Sequence, residues 1–416
     1  MHAEILAVGT ELSTGQAIDT NGPWLSQRLA KIGIDTLYRT IVPDDLHPLT
    51  EALRSAAMRA SVILISGGLG PTQDDLTREA IARVANVSLV EDPVALEHIQ
   101  AFFANRGRAM PERNRLQALR PEGAELLANP IGTAPGLYLR LGPAQVFALP
   151  GVPQELRKMF QEQVLPRLQQ NGAVGRVILF RTIHTFGWGE SAVEEKILDL
   201  TARGRQPEVG ITVSEGIVSL RIIARAANVA EAQSQIATTE AILRERLGPI
   251  IFGCDEQQME DAVVALLQQK KHTLAVAESI TGGLVSHRIS RVPGASLYHR
   301  GGIVSYTDEI KHRELNVPWE LLREHTAVSA PVARAMAEGV RQRFGVDLGL
   351  ATTGFAGPTG GTVRDPIGTA YVALSHSHGT EVVRFQWGEE RIANMKRTAN
   401  AALNLLRLHL INSLPT

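Results

Sequence analysis

The stretch VILISGGLGPTQDDLTREAIARVA, Val62 to Ala85, runs from an apolar strand-type segment through a loop with three glycines into a helical pattern. Two similar pairs precede it. "EILAVGT" (4–10) is followed by "PWLSQRLAKIG" (23–33), and "DTLYRTIV" is followed by "HPLTEALRSAAMRA". Strands separated by helix-length patterns indicate βαβ units around a parallel sheet. Two further apolar runs, "GLYLRL" and "QVFALPG", lead into a helical stretch, "PQELRKMFQEQVLPRLQQ". Helix-stop residues gather in "QQNGAVG" (169–175), so a first domain is expected over residues 1–170.

A smaller α+β unit is expected over 171–254. Its strands are "RVILFRTIHTFGW" and "GIVSLRIIARA", and its helices are "ESAVEEKILDL" and "AEAQSQIATTEAILRERLG". "FGWGES" reads as a turn into a helix beginning near Glu190 or Ser191. From 255 to 416 the alternation returns. A helix at 259–270 precedes the strand "TLAVAES" and the helix "GGLVSHRISRV"; "GGIVSY", "LGLATTGFAG", "TAYVALS" and "EVVRFQW" supply the other strands, and a helix from about Ile392 closes the chain.

With 416 residues the chain is long enough for two or three cores. A net charge of −1 lacks the basic excess of a dedicated nucleic-acid binder, yet leaves room for a small anionic ligand. The single cysteine excludes an intrachain disulfide and points to a reducing compartment. The N-terminus lacks a signal-peptide pattern, and no apolar run reaches the length of a membrane span. A cytoplasmic protein without membrane contact is expected.

Loop glycines let backbone N–H groups approach an anion, and a helix N-terminus adds partial positive charge. Gly67, Gly68, Gly70 and Thr72 are therefore candidate phosphate contacts. Asp74 and Asp75 would repel a bare phosphate but suit a divalent cation bridging carboxylate and phosphate. The plain alternative is an aspartate N-cap after a tight turn. The loop is neither a Walker A sequence nor a dinucleotide G-x-G-x-x-G pattern. Other strand ends carry Glu11, Asp19 and Asn21 in "GTELSTGQAIDTN", Asp44 in "VPDD", Asn129, Gly132 and Thr133 in "NPIGTAPG", and Pro150 and Gly151 in "ALPGVPQEL". Ligands bind at such strand ends in doubly wound sheets.

Together GTEL-x₂-G-x₃-DTN, SGGLGPT-x-DD-x-T, N-x₂-GTAPG and LPG-x-P-x-E resemble the N-terminal domain of the CinA family, itself similar to molybdopterin-binding proteins of the MogA/MoaB type. The likeness spans about residues 1–168. It implies a three-layer domain with a nucleotide-sized ligand and, in some members, hydrolysis of ADP-ribose with Mg, Mn or Co. Asp44 and Asp75 fall on acidic positions important in the molybdopterin proteins. Ser13 stands where an apolar residue is common in the family. The middle segment resembles a KH-like domain; it shows no convincing GxxG loop between helices, which favours a spacer or dimerisation module over RNA binding.

In "LAVAESITGG" (274–283) Ser279 ends a strand and precedes a helix expected to open at Gly282. On this stretch alone, Ser279 or Thr281 capping the helix is the simpler account. A nucleophilic serine needs a base, and His272 and His287 are poorly placed to supply one. A lysine with a lowered pKa can serve instead. "GGIVSYTDEIKHREL" (301–315) offers Lys311, with Tyr306 as a proton relay or orienting group. "ATTGFAGPTGG" (351–361) supplies Thr353, Gly354 and Gly357 for an oxyanion or phosphate, and Arg391 begins the last helix. Each also has a plain role as a strand-end, packing or solvated side chain.

AES-x-TGG, YT-x₃-K, TTG-x-AGP and G-x-x-R resemble the CinA C-terminal domain over about 257–412, which implies a metal-free nicotinamide mononucleotide deamidase. Ser279 matches the nucleophile, and Tyr306 and Lys311 the base system. Thr353 and Arg391 match substrate-binding positions, and the neighbouring Thr281, Gly282, Gly283, Gly354 and Gly357 complete the expected contact set. Ile280 replaces a frequent cysteine, and "GEER" shifts the arginine by one residue. Both implied substrates, nicotinamide mononucleotide and ADP-ribose, derive from NAD breakdown. A homodimer is the assembly the resemblance implies. The rival expectation is a non-enzymatic competence- or damage-associated protein holding a pterin or nucleotide.

Overall fold

The computed structural model describes residues 1–170 and 177–412, so the expected boundary at 169–175 falls largely outside the described residues. The chain divides into two compact units, Met1–Leu179 with Ala224–Gln235, and Phe180–Ile223 with Ile236–Thr416.

In the first unit six strands form one sheet in the order β2-β1-β3-β8-β7-β6. They are β1 (His2–Val8), β2 (Asp35–Val42), β3 (Val62–Ser66), β6 (Glu125–Leu127), β7 (Gly136–Leu141) and β8 (Ala144–Leu149); β4 (Leu89–Glu91) and β5 (Leu119–Pro121) pair separately. β2, β1, β3 and β8 are mutually parallel, and β7 and β6 add an antiparallel edge. Successive side chains of a strand face opposite sides. Leu6, Ile63 and Ile65 accordingly pack with Leu49, Leu53 and Ile81, whereas Ile5 and Leu64 pack with Leu25, Leu29 and Phe160. Both faces are covered, which makes the three-layer arrangement expected of strands as uniformly apolar as β3. The ends of β1, β2, β3 and β8 lie on one edge and carry the polar loops.

The middle segment has a four-stranded sheet, β10-β11-β9-β12, built from β9 (Val177–Phe186), β10 (Glu208–Ser214), β11 (Ile217–Ala226) and β12 (Ile251–Cys254). β10 has no counterpart among the sequence expectations. It is an edge strand, carries Gly210, and leaves most of its residues partly or fully exposed, so its apolar alternation is weak. In the second unit this segment shares a core with the C-terminal domain: Phe186 and Phe252 pack with Met259, Val263 and Leu403. Arg407, buried on the last helix, donates to the carbonyls of Pro249 and Ile251.

The C-terminal sheet runs β14-β13-β15-β16-β17, from β13 (Leu274–Glu278), β14 (His299–Val304), β15 (Leu348–Gly354), β16 (Thr369–His376) and β17 (Gly379–Gln386). β13, β14 and β15 are parallel, with an antiparallel pair on one side. The helix Ala330–Phe344 covers one face through Val332, Met336 and Val340 against Ala275, Ala277 and Ala351. Met259–Lys270 and Arg391–Asn412 cover the other against Val276, Leu350 and Val372. Small alanines on one face and larger residues on the other let helices seat at different depths over central β13. No described helix is long and apolar enough to cross a membrane.

Candidate active site

Ser279 leaves the sheet where β13 ends, with only 9% of its surface exposed. Register places Glu278 opposite Thr352, and the Ser279 N–H donates to the Thr352 carbonyl at 2.9 Å. The corner is therefore pinned to β15 before the helix begins. That helix is Leu284–Arg291 rather than one opening at Gly282, and neither Ser279 nor Thr281 caps it. Glu278 does the work instead. Its Oε2 accepts from the Thr281 hydroxyl (2.7 Å), Gly283 N (2.9 Å) and Val285 N (3.0 Å), and its Oε1 accepts from Ser286 N (2.8 Å). A carboxylate 1% exposed is thus satisfied by the N–H groups that a helix start leaves without partners. Gly283 at φ +100° permits the chain to fold back over it, a backbone conformation that favours glycine.

With the capping done elsewhere, the Ser279 hydroxyl is left for another partner. Lys311 Nζ lies 3.4 Å from Ser279 Oγ and donates to the Ser305 carbonyl at 3.0 Å. Lys311 sits on the short helix Asp308–Leu315, yet only 1% of it is exposed, which corrects the picture of a solvated helix lysine. No carboxylate forms an ion pair with it among the described residues. Burial pushes its pKa down, partly opposed by Asp308 and Glu309. Desolvation disfavours the ammonium, so a neutral amine comes within reach beside a hydroxyl it can deprotonate.

Tyr306 does not stand between them. Its exposed hydroxyl accepts from Arg391 Nη2 at 2.7 Å, and no described hydrogen bond joins it to Ser279 or Lys311. The lysine reaches the serine directly, so the phenolic relay is unnecessary. Arg391 also donates from Nη1 to the Gly357 carbonyl at 2.8 Å, which ties two expected substrate contacts to Tyr306, expected in the base system. The N–H groups at the start of its helix are already used: Glu390 accepts from Ile392 N and Ala393 N. Thr353 is fully buried and donates to the Ala327 carbonyl, Gly354 continues the β15–β16 ladder, and Thr281 bonds Glu278 and Thr352. Gly282 N is likewise engaged by the Ser279 carbonyl. The hydroxyls of Thr353 and Thr281 and the N–H of Gly282 are thus held by internal bonds that shape the corner.

The glycine-rich loop of the first unit spends its carboxylates in a similar way. Asp75 Oδ1 accepts from Gly70 N (2.7 Å), and Oδ2 from Thr72 N (2.8 Å) and the Thr72 hydroxyl (2.5 Å). It closes the loop backward and does not N-cap the helix Thr77–Ala85. A Cβ on Gly70 would collide with that carboxylate, which explains the glycine by close approach. Asp44 Oδ2 accepts from Thr10 N at 2.7 Å, Asp19 Oδ1 from Gly22 N at 2.9 Å, and Asn129 Oδ1 from Gly132 N at 2.9 Å. Asp74 and Glu11 remain exposed. Asp44, Asp74 and Asp75 do not bring three ligand atoms together among the described residues. The aspartates therefore do not fit a preformed cation cage. Among the expected ligand residues Asn21 stands apart: buried, it donates to Ser66 Oγ and the Gly151 carbonyl, but its Oδ1 has no hydrogen-bond partner among the described residues.

Three family descriptions match in succession: "Probable molybdopterin binding domain" over 4–170, "Damage-inducible protein CinA KH domain" over 180–253, and "CinA C-terminal domain" over 256–410. A "Putative competence-damage inducible protein" of Moorella thermoacetica is 42% identical over 406 residues, 98% of either chain. The chain belongs to the CinA family. A "CinA-like protein" of Gloeobacter violaceus is 43% identical over 414 residues, covering 99% of this chain and 97% of the relative. Among solved structures, a CinA protein "with unknown function" from Thermoplasma acidophilum shares 32% identity over 41% of this chain and 96% of its own, at a TM-score of 0.37.

In this CinA-family chain several residues absent from the sequence expectations turn out to matter. Glu278 stands next to Ser279 in the quoted AES motif, but a strand-end glutamate gives no local sign of accepting four hydrogen bonds. Buried Arg78 donates to the carbonyls of Leu69 and Gly70, holding the glycine loop from beneath. Glu155 accepts from Asn129 Nδ2 at 2.7 Å and joins two of the expected loops. The Glu155 signal was visible in LPG-x-P-x-E; that of Arg78 was hidden among helical charges.

Proposed function

We propose that the C-terminal domain is a serine amidohydrolase that converts nicotinamide mononucleotide to nicotinate mononucleotide and ammonia. One observation carries this: a buried lysine, with no carboxylate partner among the described residues, stands 3.4 Å from the hydroxyl of a serine at a strand-to-helix corner. The substrate comes from the family motifs; the geometry supports acyl transfer in general.

In the first step neutral Lys311 takes the Ser279 proton while Oγ attacks the carboxamide carbon. The carbonyl π electrons move onto oxygen. Of the N–H groups at the corner, those of Ser279, Gly282 and Gly283 are engaged, and those of Ile280 and Thr281, for which no hydrogen bond is described, are the donors this mechanism assigns to the oxyanion. Collapse expels the amine, which receives the proton from the Lys311 ammonium and departs as ammonia. Water then attacks the acyl-serine with Lys311 again as base, and Ser279 is regenerated. Arg391, held against Tyr306 and Gly357, is the fixed cation for the substrate's phosphate, whose binding orients the remote carboxamide. Ammonia release from nicotinamide mononucleotide is expected from the wild type and not from Ser279→Ala. Retained turnover in that variant would end the covalent mechanism.

For the N-terminal domain the unclaimed Asn21 Oδ1 at the strand ends favours a ligand carrying hydroxyl or amino donors. ADP-ribose, implied by the family, supplies both together with phosphates. We infer binding at this edge. Hydrolysis with Mg, Mn or Co draws no support from carboxylates already bonded to backbone N–H groups. Calorimetric binding of ADP-ribose in chelator is the expected result, and binding that needs a divalent ion would contradict it.

A further inference from the structure

We infer that His376, Glu381 and His409 form a site for a zinc-class transition-metal ion at the end of the C-terminal sheet remote from Ser279. His376 ends β16 and Glu381 lies on β17; the register Leu374↔Glu381 and His376↔Gly379 makes them diagonal neighbours on one face. That face packs under the helix Arg391–Asn412, where Leu406 and Leu410 meet Leu374. His409 lies between those two leucines in sequence and brings its ring to 4.4 Å from that of His376. One ligand atom from each of the three residues lies within 4.8 Å of the others.

The three side chains face one another without direct hydrogen bonds. His376 Nε2 is 3.7 Å, and His409 Nδ1 3.6 Å, from Glu381 Oε1, which is too long for hydrogen bonds. Ligands about 2.0–2.1 Å from a tetrahedral ion stand about 3.3 Å apart. The two spacings to Glu381 need only a few tenths of an ångström of closure, and the two imidazole nitrogens, within 4.8 Å of each other, close by up to about 1.5 Å. Two imidazoles and a carboxylate are the ligand types zinc takes, with a fourth position left for water.

The backbone also foretells a cost. His378 N donates to His376 Nδ1 at 3.2 Å, so the hydrogen of the neutral ring sits on Nε2. Ligation through Nε2 moves it to Nδ1 and breaks the bond from His378. The turn at 376–379 must therefore open slightly when metal enters. Because β15 and β16 run antiparallel, with Gly354 opposite Ala370 and Gly349 opposite Ser375, this end lies away from the serine corner. The ion would staple the far end of the last helix to the sheet and leave the chemistry alone.

Chelator-stripped full-length protein is titrated with Co²⁺ and, separately, with Zn²⁺. One Co²⁺ per chain with visible d–d absorption, a Zn²⁺-dependent rise in Tm, and a shifted His378 amide resonance are expected. His376→Gln/His409→Gln removes all three while ammonia release from nicotinamide mononucleotide is kept. Glu381→Gln, at a half-exposed site that tolerates change, weakens binding at least tenfold and serves if the double variant folds poorly. Substoichiometric Co²⁺ uptake by the wild type, or equal uptake by Glu381→Gln, overturns the inference.

Discussion

Two strand–loop–helix corners in this chain look alike in sequence and differ in what they leave unused. At Gly67–Asp75 the loop's own N–H groups consume the carboxylate of Asp75, and its hydroxyl partner Thr72 joins the same knot. At Glu278–Gly283 a carboxylate is consumed as well, but it belongs to the residue before the serine. Ser279 is thereby spared, and a lysine is buried against it. The first corner is a preorganised backbone cradle; the second is a cradle with a reactive pair added. A buried polar group bonded within its own turn contributes shape, whereas one left with an amine contributes chemistry.

The largest effects should come from breaking that pair. Ser279→Ala is expected to lower deamidation about a thousandfold or more, measured by coupled ammonia assay, with ADP-ribose binding intact. Lys311→Met should cost about 10²–10⁴-fold through loss of the general base. In the wild type the rate should rise with pH as Lys311 deprotonates, with a limb below that of an ordinary lysine. The same shift sets a stability trend. The unfolded chain holds the lysine proton to higher pH than the folded one, so stability gained from this site rises with pH across that window. The Tm of the wild type relative to Lys311→Met should therefore improve from neutral pH toward the alkaline end; a flat difference would mean that the amine is not desolvated.

Glu278→Gln comes next. Its amide NH₂ must face at least one of four donors, at about 1–3 kcal/mol. Chemical denaturation should report that loss, and kcat should fall more than KM changes, because the corner loosens while the Arg391 contact survives. The smallest effect is expected from Asp75→Ala: about 1–2 kcal/mol from the half-exposed loop knot, weaker ADP-ribose binding, and unchanged deamidation. If Asp75→Ala and Ser279→Ala affect both activities equally, the two corners are not independent and the contrast between them fails.

Much of the scaffold was open to reading because backbone order is local. The helix at 259–270, the long final helix and the strands around β3 and β13 follow from apolar spacing and caps. β10 escaped because an exposed edge strand with a glycine has little alternation to show. Ser279 and Lys311 could be named from residue type and motif, but Tyr306 was given the wrong neighbour. Its hydroxyl meets Arg391, 85 positions along the chain, a pairing no local pattern encodes.

By itself, the sequence determined the succession of strands, glycine loops and helices, the CinA-type motifs, and the presence of a serine at one strand end and a lysine within the helical segment after the next strand. Only the tertiary structure decided which polar groups remain available. Strand register sets Glu278 opposite Thr352, folding buries Lys311, and helix packing carries His409 to His376 across 33 residues of chain. Side-chain partners are chosen by proximity in space, and proximity follows from packing between elements that are distant in the chain.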